Sequence, residues 1–363
     1  MSLGIYIHVP FCAKKCAYCD FYSACYTKQQ AELYVQAVLR NLRHYSDRST
    51  VTDTLYFGGG TPSLLSAEQI DEIIDQVRES FDLADDAEIT LEANPGTLSA
   101  DKLRQLRSCG VNRLSFGVQS MHDAELKLLG RTHTAERAEK AVLDAASAGF
   151  ENISCDLMIA LPGQDLASME YSIDRMSRLP IRHISAYILK VEEGTPFDRD
   201  EIRCLLPDDD TSAAMYLRMA ELLEQHGFMQ YEVSNFAKSG YESRHNCRYW
   251  RCQDYIGIGP AAHSCYSGVR FAVSPDLTAF ISSEVQHTEV TDDSPCGYSE
   301  YAMLRLRLKE GLLLDRVPEH KGEIEKKIPA LVNAGYITYN NGCVSLTREG
   351  FLISNQVIEY LVF

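Results

Sequence analysis

Short β-rich runs alternate with amphipathic helical segments along the first half of the chain, and this alternation limits the possible folds more than any other feature. Six runs have the character of buried strands: GIYIHV, TLYFGG, EITLEA, RLSFGV, NISCDLMIA and HISAYIL. Helical patterns lie between them, for example at 30–42, 66–81, 100–110 and 135–149. Repeated β–α units predict parallel strands joined by right-handed crossovers. Because six units fall short of the eight of a complete TIM barrel, we predict an α/β fold with an open, partial (β/α)6 barrel. A doubly wound sheet has the same alternation and is the alternative.

The character of the sequence changes twice beyond this region. A long helical pattern at 209–226 is followed by a polar stretch near residue 245, and from about residue 297 helices precede a hairpin that turns at 340–342. We therefore predict three parts: a barrel at 1–200, an extension of the barrel at 201–296 and a small winged-helix-like α+β domain at 297–363. The last part holds eight Lys or Arg and eight Asp or Glu residues, so its charge argues against DNA binding.

The chain is strongly acidic, with 35 Lys and Arg against 51 Asp and Glu and a net charge of −16. This charge argues against nucleic acid and against an anionic membrane surface as partners. No apolar run is long enough to cross a bilayer, and the start MSLGIYIHVPFC has no basic n-region. We therefore predict a cytoplasmic protein without a transmembrane segment, in which most of the 12 cysteines are reduced thiols.

Three of the cysteines, Cys12, Cys16 and Cys19, stand in a C-x3-C-x2-C spacing. Zinc would need a fourth ligand, and His8 is the nearby candidate. A disulfide with one spare thiol fits poorly with a reducing compartment. In an iron–sulfur cube each of the four irons normally takes one thiolate, so three cysteines leave one iron open for another ligand.

This spacing, with the aromatic Tyr18 before the last cysteine, resembles the radical S-adenosylmethionine (SAM) superfamily. In that superfamily the open iron chelates the amino and carboxylate groups of SAM, and an electron from the cluster yields a 5′-deoxyadenosyl radical. The resemblance implies a [4Fe–4S] cluster on Cys12, Cys16 and Cys19, SAM as a second cofactor and a low-potential electron donor as a partner.

Polar residues and glycines follow successive predicted strands, at the edge where parallel α/β barrels hold their ligands. Each of them alone is more often part of a turn or a helix cap, but their joint occurrence favours a binding site. Their order resembles the branch that contains oxygen-independent coproporphyrinogen III oxidase (HemN) and its relatives. That resemblance implies SAM contacts from Tyr6, Tyr18, Gly59, Gly60, Thr61, Glu92, Gln119, Arg131, Asp156 and Lys190.

Two departures separate the chain from the oxidase. The oxidase pattern continues to a fourth cysteine, where this chain has Phe21, and the oxidase has a longer N-terminal arm. The segment SRHNCRYWRC at 243–252 instead resembles the H-N-x-x-Y-W signature of the HemW haem chaperones. The resemblance implies haem contacts from His245, Asn246, Tyr249 and Trp250.

The chemistry of this segment suits a porphyrin, because an imidazole can ligate iron and aromatic rings can cover the macrocycle. Cys247 and Cys252 are alternative axial donors, and haem propionates could pair with Arg244, Arg248 and Arg251. Without the resemblance, a buried turn with packed aromatic rings is the plainer interpretation.

We therefore predict a haem chaperone that passes haem to apo-haemoproteins, with no catalytic residue assigned. The main alternative is an oxygen-independent coproporphyrinogen III oxidase, and a third is a zinc-stabilised binding module. The prediction extends to a homodimer and to peripheral association with membrane-protein acceptors of haem.

Overall fold

The computed structural model describes residues 2–363, and its strands form one large and two small sheets. The strands are β1 (Leu3–Val9), β2 (Phe11–Cys12), β3 (Ala24–Cys25), β4 (Asp47–Gly59), β5 (Phe81–Ala93), β6 (Arg113–Gln119), β7 (Asn152–Ile159), β8 (His183–Ile188), β9 (Met229–Gln230), β10 (Asn235–Ala237), β11 (Tyr255–Ile258), β12 (His263–Tyr266), β13 (Val269–Val273), β14 (Thr288–Asp292), β15 (Leu312–Leu313), β16 (Ile337–Asn340) and β17 (Cys343–Leu346).

Helices connect most of these strands. They are α1 (Lys28–His44), α2 (Ala67–Ser80), α3 (Ala100–Cys109), α4 (Asp123–Leu128), α5 (Ala135–Ser147), α6 (Leu166–Ser177), α7 (Asp200–Arg203), α8 (Asp209–Gln225), α9 (Arg244–Trp250), α10 (Leu277–Ser282), α11 (Tyr298–Leu306), α12 (Pro318–Asn333), α13 (Arg348–Leu352) and α14 (Ser354–Val362). Within residues 2–363, no helix has both the length and the apolar character that a bilayer crossing requires.

The helices begin where the local sequence predicts. Ser66 accepts the backbone N–H of Gln69, whose side chain accepts the N–H of Ser66, and this capping box starts α2. Side chains of Thr27, Ser99 and Thr134 cap α1, α3 and α5 in the same way.

The large sheet has twelve strands in the order β14-β13-β12-β11-β1-β4-β5-β6-β7-β8-β10-β9. From β1 through β8, the six predicted strands pair in parallel, each with the next along the chain. A doubly wound sheet would reverse its strand order at a switch point, and this run has no reversal. The predicted partial barrel is therefore confirmed.

The two sides of this sheet differ in polarity because side chains alternate along each strand. One phase is apolar and fully buried, as with Ile5, Leu55 and Leu114, and it packs in the main hydrophobic core. The other phase lines a cavity and carries polar groups, including Glu92 and Asp156. The fold thus places its polar groups on the inner face of an open barrel.

Residues after 200 lengthen both edges of the sheet. β10 pairs antiparallel with β8, while β11 pairs parallel with β1 and leads into an antiparallel extension of β12, β13 and β14. A separate sheet of order β15-β17-β16 lies among the last four helices and contains the predicted hairpin. The domain boundaries at residues 200 and 296 stay a prediction.

Candidate functional site

Cys12 ends β2, and Cys16 and Cys19 lie on the loop from β2 to β3, so that all three cysteines of the C-x3-C-x2-C motif stand at the wall of a cavity of about 420 Å³. All three are free thiols. The loop is fixed at Ala17, whose N–H donates to the Leu129 carbonyl at 3.2 Å and whose carbonyl accepts the Phe197 N–H at 3.1 Å. Segments that follow β6 and β8 therefore hold the thiols over the cavity.

Partial burial raises the pKa of Cys12 and of Cys19. A bound metal would favour the thiolate form and offset this effect. Three thiols at one cavity therefore remain a donor set that suits a metal cluster. His8, the fourth ligand considered for zinc, is no part of the cavity wall. Its Nδ1 lies 3.1 Å from Tyr6 Oη, and its Nε2 lies 3.5 Å from the Tyr22 carbonyl oxygen. Among residues 2–363, no group of three or more His, Cys, Asp or Glu side chains is arranged to hold a single metal ion.

A chain of hydrogen bonds connects two of the thiols through the strand ends. Cys12 Sγ lies 3.7 Å from Thr61 Oγ1, which accepts from Asn94 Nδ2 at 3.1 Å. Arg131 donates to Asn94 Oδ1 through Nη2 and to Cys16 Sγ, at 3.3 Å, through Nη1. Residues that follow β4, β5 and β6 therefore orient the thiols, and Arg131 brings a positive charge beside them.

The glycines after β4 allow close packing behind this loop. A Cβ on Gly60 would lie 2.6 Å from the Phe11 carbonyl oxygen, and one on Gly59 would lie 2.8 Å from the His8 ring. Gly59 also has a φ of 105°, which favours glycine. Both glycines line the cavity, and their lack of a side chain lets the end of β4 lie directly against the strand that leads to Cys12.

Two carboxyl groups line the same cavity as the thiols. Glu92 Oε1 accepts from Tyr56 Oη at 2.8 Å, and Asp156 Oδ1 accepts from Ser115 Oγ at 3.3 Å. Burial raises the pKa of Glu92 to about 7 and that of Asp156 to about 6. Glu92 is therefore partly protonated near neutral pH, and both carboxyl groups can accept the hydrogen bonds that a ribose diol or an adenine amino group donates.

Gln119 ends β6 with a φ of 73°, where the pairing with β7 is irregular. A residue other than glycine in this conformation is uncommon and is found at binding sites. Gln119 and Tyr18 both line the cavity. The Arg131 side chain passes close to Gly117. A Cβ on Gly117 would lie 3.0 Å from Arg131 Nη2, so the glycine leaves room for this side chain.

Two residues of the expected SAM set lie outside the cavity wall. Tyr6 is packed with its ring centroid 6.1 Å from that of Tyr56. Lys190 is exposed, and its Nζ lies 2.9 Å from Glu192 Oε1. In this structure Tyr6 supports the wall from behind, and Lys190 points to solvent.

The H-N-x-x-Y-W segment forms α9, and only its Asn246 reaches the cavity. His245 is 1% exposed, with Nδ1 2.9 Å from Thr54 Oγ1 and Nε2 2.9 Å from Tyr249 Oη. Burial lowers the pKa of His245 to about 3, so the ring is neutral. Because both ring nitrogens are occupied, His245 is not available to a haem iron in this conformation.

The other residues of this segment are also used within the fold. The Tyr249 ring packs 4.6 Å from that of Tyr255, Trp250 lies 6.0 Å from the guanidinium of Arg307, and Cys247 is buried. The structure therefore does not bring Tyr249 and Trp250 together with the thiols.

Several residues of the cavity wall were not anticipated. Among them are Lys14, Lys15, Phe21, Tyr56, Asn94, Arg113, Ser115, Met158, Ser185 and Tyr187. The signal for some of them was present in the sequence, because Arg113, Ser115, Gly117 and Gln119 alternate along one strand and so share a face.

Known proteins resemble this chain over part or nearly all of its length. Residues 6–176 match the family model of the radical SAM superfamily. The heme chaperone HemW of Bacillus subtilis (strain 168) is 38% identical over 97% of this chain and 97% of its own length. HemW of Escherichia coli (strain K12) is 37% identical over 98% and 97%, and HemW of Lactococcus lactis (strain IL1403) is 34% identical over 98% and 96%.

Among solved structures, coproporphyrinogen III oxidase (HemN) from Escherichia coli aligns with a TM-score of 0.84. The alignment covers 99% of this chain and 90% of the oxidase, at 22% sequence identity. At that identity the likeness establishes a shared fold.

Proposed function

The chain belongs to the HemW family, which carries a radical SAM domain, and from this membership we propose that it is a haem chaperone. In this proposal it holds a [4Fe–4S] cluster and SAM, binds haem and passes haem to apo-haemoproteins. The observation that carries the proposal is similarity to HemW over nearly the full length of both chains, together with three free thiols at one cavity.

The thiols Cys12, Cys16 and Cys19 would hold the cluster. When bound, such a cluster supplies low-potential electrons and an open iron for the methionine end of SAM. Thr61 and Asn94 orient the Cys12 side of the loop, while Arg131 fixes Cys16 and offers its guanidinium to a carboxylate.

The remaining wall residues would position SAM. Glu92, Asp156 and Gln119 present hydrogen-bonding groups to the cavity, and Gly59 and Gly60 leave their backbone uncovered by side chains. Tyr6 acts as a positioning residue, since it packs behind Tyr56.

Haem would enter at the open side of the cavity. Phe21 and Tyr187 are 63% and 41% exposed although both belong to its wall. Large exposed aromatic rings often mark a binding surface and can cover a macrocycle face. We therefore place haem here and assign α9 the role of a buried support, which leaves the axial ligand unassigned.

The proposal is tested by anaerobic reconstitution followed by haem titration with and without SAM. The parent protein should contain iron and sulfide, bind haem and transfer it to an apo-haemoprotein such as apomyoglobin. Cys16→Ser should lose the iron, while Cys109→Ser, which changes a free cysteine at the end of α3 outside the cavity, should keep it.

Reconstituted protein that binds no haem would overturn the proposal. Release of carbon dioxide from coproporphyrinogen III, with formation of protoporphyrinogen, would identify the oxidase instead. The electron donor and a homodimer are further proposals, tested by reduction assays and by sedimentation.

A further inference from the structure

Three cysteines outside the cavity, Cys252, Cys265 and Cys296, form a second cluster of thiols. The thiol of Cys296 makes side-chain hydrogen-bonding contacts with the thiols of both Cys252 and Cys265. All three are free, and none of them lines the cavity. They come from separate parts of the chain, since Cys252 follows α9, Cys265 lies on β12 and Cys296 precedes α11. The fold therefore brings together three sulfur atoms that are distant in sequence.

An ion pair and the backbone hold Cys296 beside Cys265. Arg270 on β13 is the register partner of Cys265 on β12. Arg270 Nη1 lies 2.7 Å from Glu300 Oε1, and Glu300 Oε2 accepts the backbone N–H of Cys296 at 2.6 Å. The contact between the two thiols thus follows from strand pairing and from the position of one carboxylate.

Cys252 reaches the same place from the end of α9. Its N–H donates to the Tyr249 carbonyl at 3.2 Å, and Tyr255, three residues later, is the register partner of Cys265. Cys252 and Cys296 both have a positive φ, 52° and 65°. Residues other than glycine rarely adopt this conformation, and backbone of this kind is found at functional sites.

Solvent reaches two of the three cysteines. Cys252 and Cys296 are half-buried, whereas Cys265 is 5% exposed. Burial raises the pKa of Cys252 and raises that of Cys296 to about 12, so each thiol is protonated and reacts slowly by itself. Closeness favours a joint reaction, because the second thiol is already in place when the first is oxidised.

A metal ion and a disulfide are the two common partners of clustered thiols. Within residues 2–363, no group of three or more cysteines or other ligand side chains is arranged to hold a metal ion. The geometry therefore favours a disulfide. A thiol with a high pKa is also a poor leaving group, so such a disulfide should be slow to exchange with small thiols.

We propose that Cys252 and Cys296 form an oxidative modification site, which takes a hydroperoxide as its oxidant and closes to a disulfide. In the first step the sulfur of one cysteine attacks the O–O bond and becomes a sulfenic acid. Its proton passes to the departing oxygen, and the hydroperoxide is reduced to an alcohol or to water. In the second step the other thiol attacks this sulfur, the S–S bond forms and water leaves. Two thiols are oxidised and one hydroperoxide is reduced, with no further reactant.

The disulfide joins the end of α9 to the segment that leads into α11. Because Asn246 of α9 lines the cavity, oxidation would tie one part of the cavity wall covalently to the C-terminal helices. The cross-link also restricts the unfolded chain and so should stabilise the fold. This inference depends on neither the cluster nor haem, so its failure would leave the proposed function standing.

The test treats the anaerobically reconstituted full chain with tert-butyl hydroperoxide, blocks the remaining thiols and maps disulfides by mass spectrometry. Chymotrypsin is added to trypsin because cleavage after Tyr255 separates Cys252 from Cys265, which trypsin alone leaves on one peptide. The oxidised parent should give a peptide pair that links Cys252 to Cys296. Dithiothreitol should release this pair.

Cys265→Ser is the matched control, because it removes the buried member of the cluster and should keep the link. Cys252→Ser and Cys296→Ser should each lose it, and either one that folds is sufficient. In the metal-free chain, oxidation should raise the melting temperature of the parent by about 4 °C relative to Cys252→Ser treated in the same way.

The inference is overturned if hydroperoxide leaves Cys252 and Cys296 unlinked, or if Cys296 is joined to Cys265 instead. A melting temperature that rises as much in Cys252→Ser as in the parent would also overturn it, since the stabilisation would then come from other cysteines.

Discussion

Gly60→Ala is a direct test of how the cysteine loop is supported. The added Cβ would lie 2.6 Å from the Phe11 carbonyl oxygen and 3.0 and 3.1 Å from its carbonyl carbon and nitrogen. Ordinary contact requires about 3.5 Å, so one backbone segment must move by about 1 Å. Phe11 is fully buried and precedes Cys12, and the Gly60 N–H donates to the Val9 carbonyl at 2.8 Å. Neither segment can move without disturbing the thiol loop.

Overpacking of this kind lowers the free energy of unfolding by about 1–3 kcal/mol. We expect that loss in chemical denaturation of the metal-free protein, and less iron and sulfide per chain after anaerobic reconstitution. Gly322→Ala is the matched control because nothing lies within 4 Å of its Cβ position in α12. It should raise the free energy of unfolding by about 0.5–1 kcal/mol and leave iron loading unchanged. A Gly60→Ala protein with parental stability and full iron content would refute the reasoning.

Three further predictions concern single side chains of the site. Burial raises the pKa of Glu92 from 4.5 to about 7, so the folded state binds this proton more tightly than the unfolded state does. The free energy of unfolding should therefore fall by about 3 kcal/mol as the pH rises from about 4.5 through about 7. Glu92→Gln should reduce the difference in free energy of unfolding between about pH 5 and about pH 8 by about this amount, while Asp156 and Glu232, whose pKa values are raised to about 6 and about 7, keep their own share. An unchanged difference would contradict the assignment. His245→Gln should lower the free energy of unfolding by about 2 kcal/mol through its lost hydrogen bonds but leave the dissociation constant of haem within about twofold. A stable His245→Gln protein with much weaker haem binding would restore this residue as a ligand. Thr61→Val removes a hydroxyl beside Cys12 Sγ and should lower the midpoint potential of the reconstituted cluster, measured by an EPR redox titration in which an unchanged potential would exclude this hydrogen bond.

The barrel could be predicted from the sequence because each of its strands and helices has its own signal in the local sequence. The predicted helix at 66–81 corresponds to α2 (Ala67–Ser80), which a capping box starts. β11 was not predicted, since Tyr255–Ile258 is only four residues long and pairs with a strand about 250 residues earlier in the chain. A short run of this kind becomes a strand only when β1 offers its open edge.

The site was partly predictable for a similar reason. Glu92 on β5 and Asp156 on β7 follow from their positions on parallel strands of one barrel, because such strands present their polar residues toward a common cavity near their carboxyl ends. For His245 the sequence left two interpretations open, a haem ligand and a buried residue, because the outcome depends on how α9 packs across the barrel and places that ring beside Thr54. Sequence spacing defines which residues share a helix face, but it does not define which face turns inward.

The distribution of charge explains how a strongly acidic chain could receive an anionic ligand. In residues 2–363, the cavity-wall arginines Arg113 and Arg131 form no ion pair with a carboxylate, whereas those on and next to α9 do. The raised pKa of Glu92, about 7, leaves that carboxyl only partly ionised near neutral pH and reduces the negative charge that opposes these two cations. Because a cavity lined by protein screens charge less than water does, the cationic side chains of its wall act more strongly on a ligand inside it than charges spread over the surface of the chain do. The cavity can therefore attract carboxylates although the protein as a whole repels them.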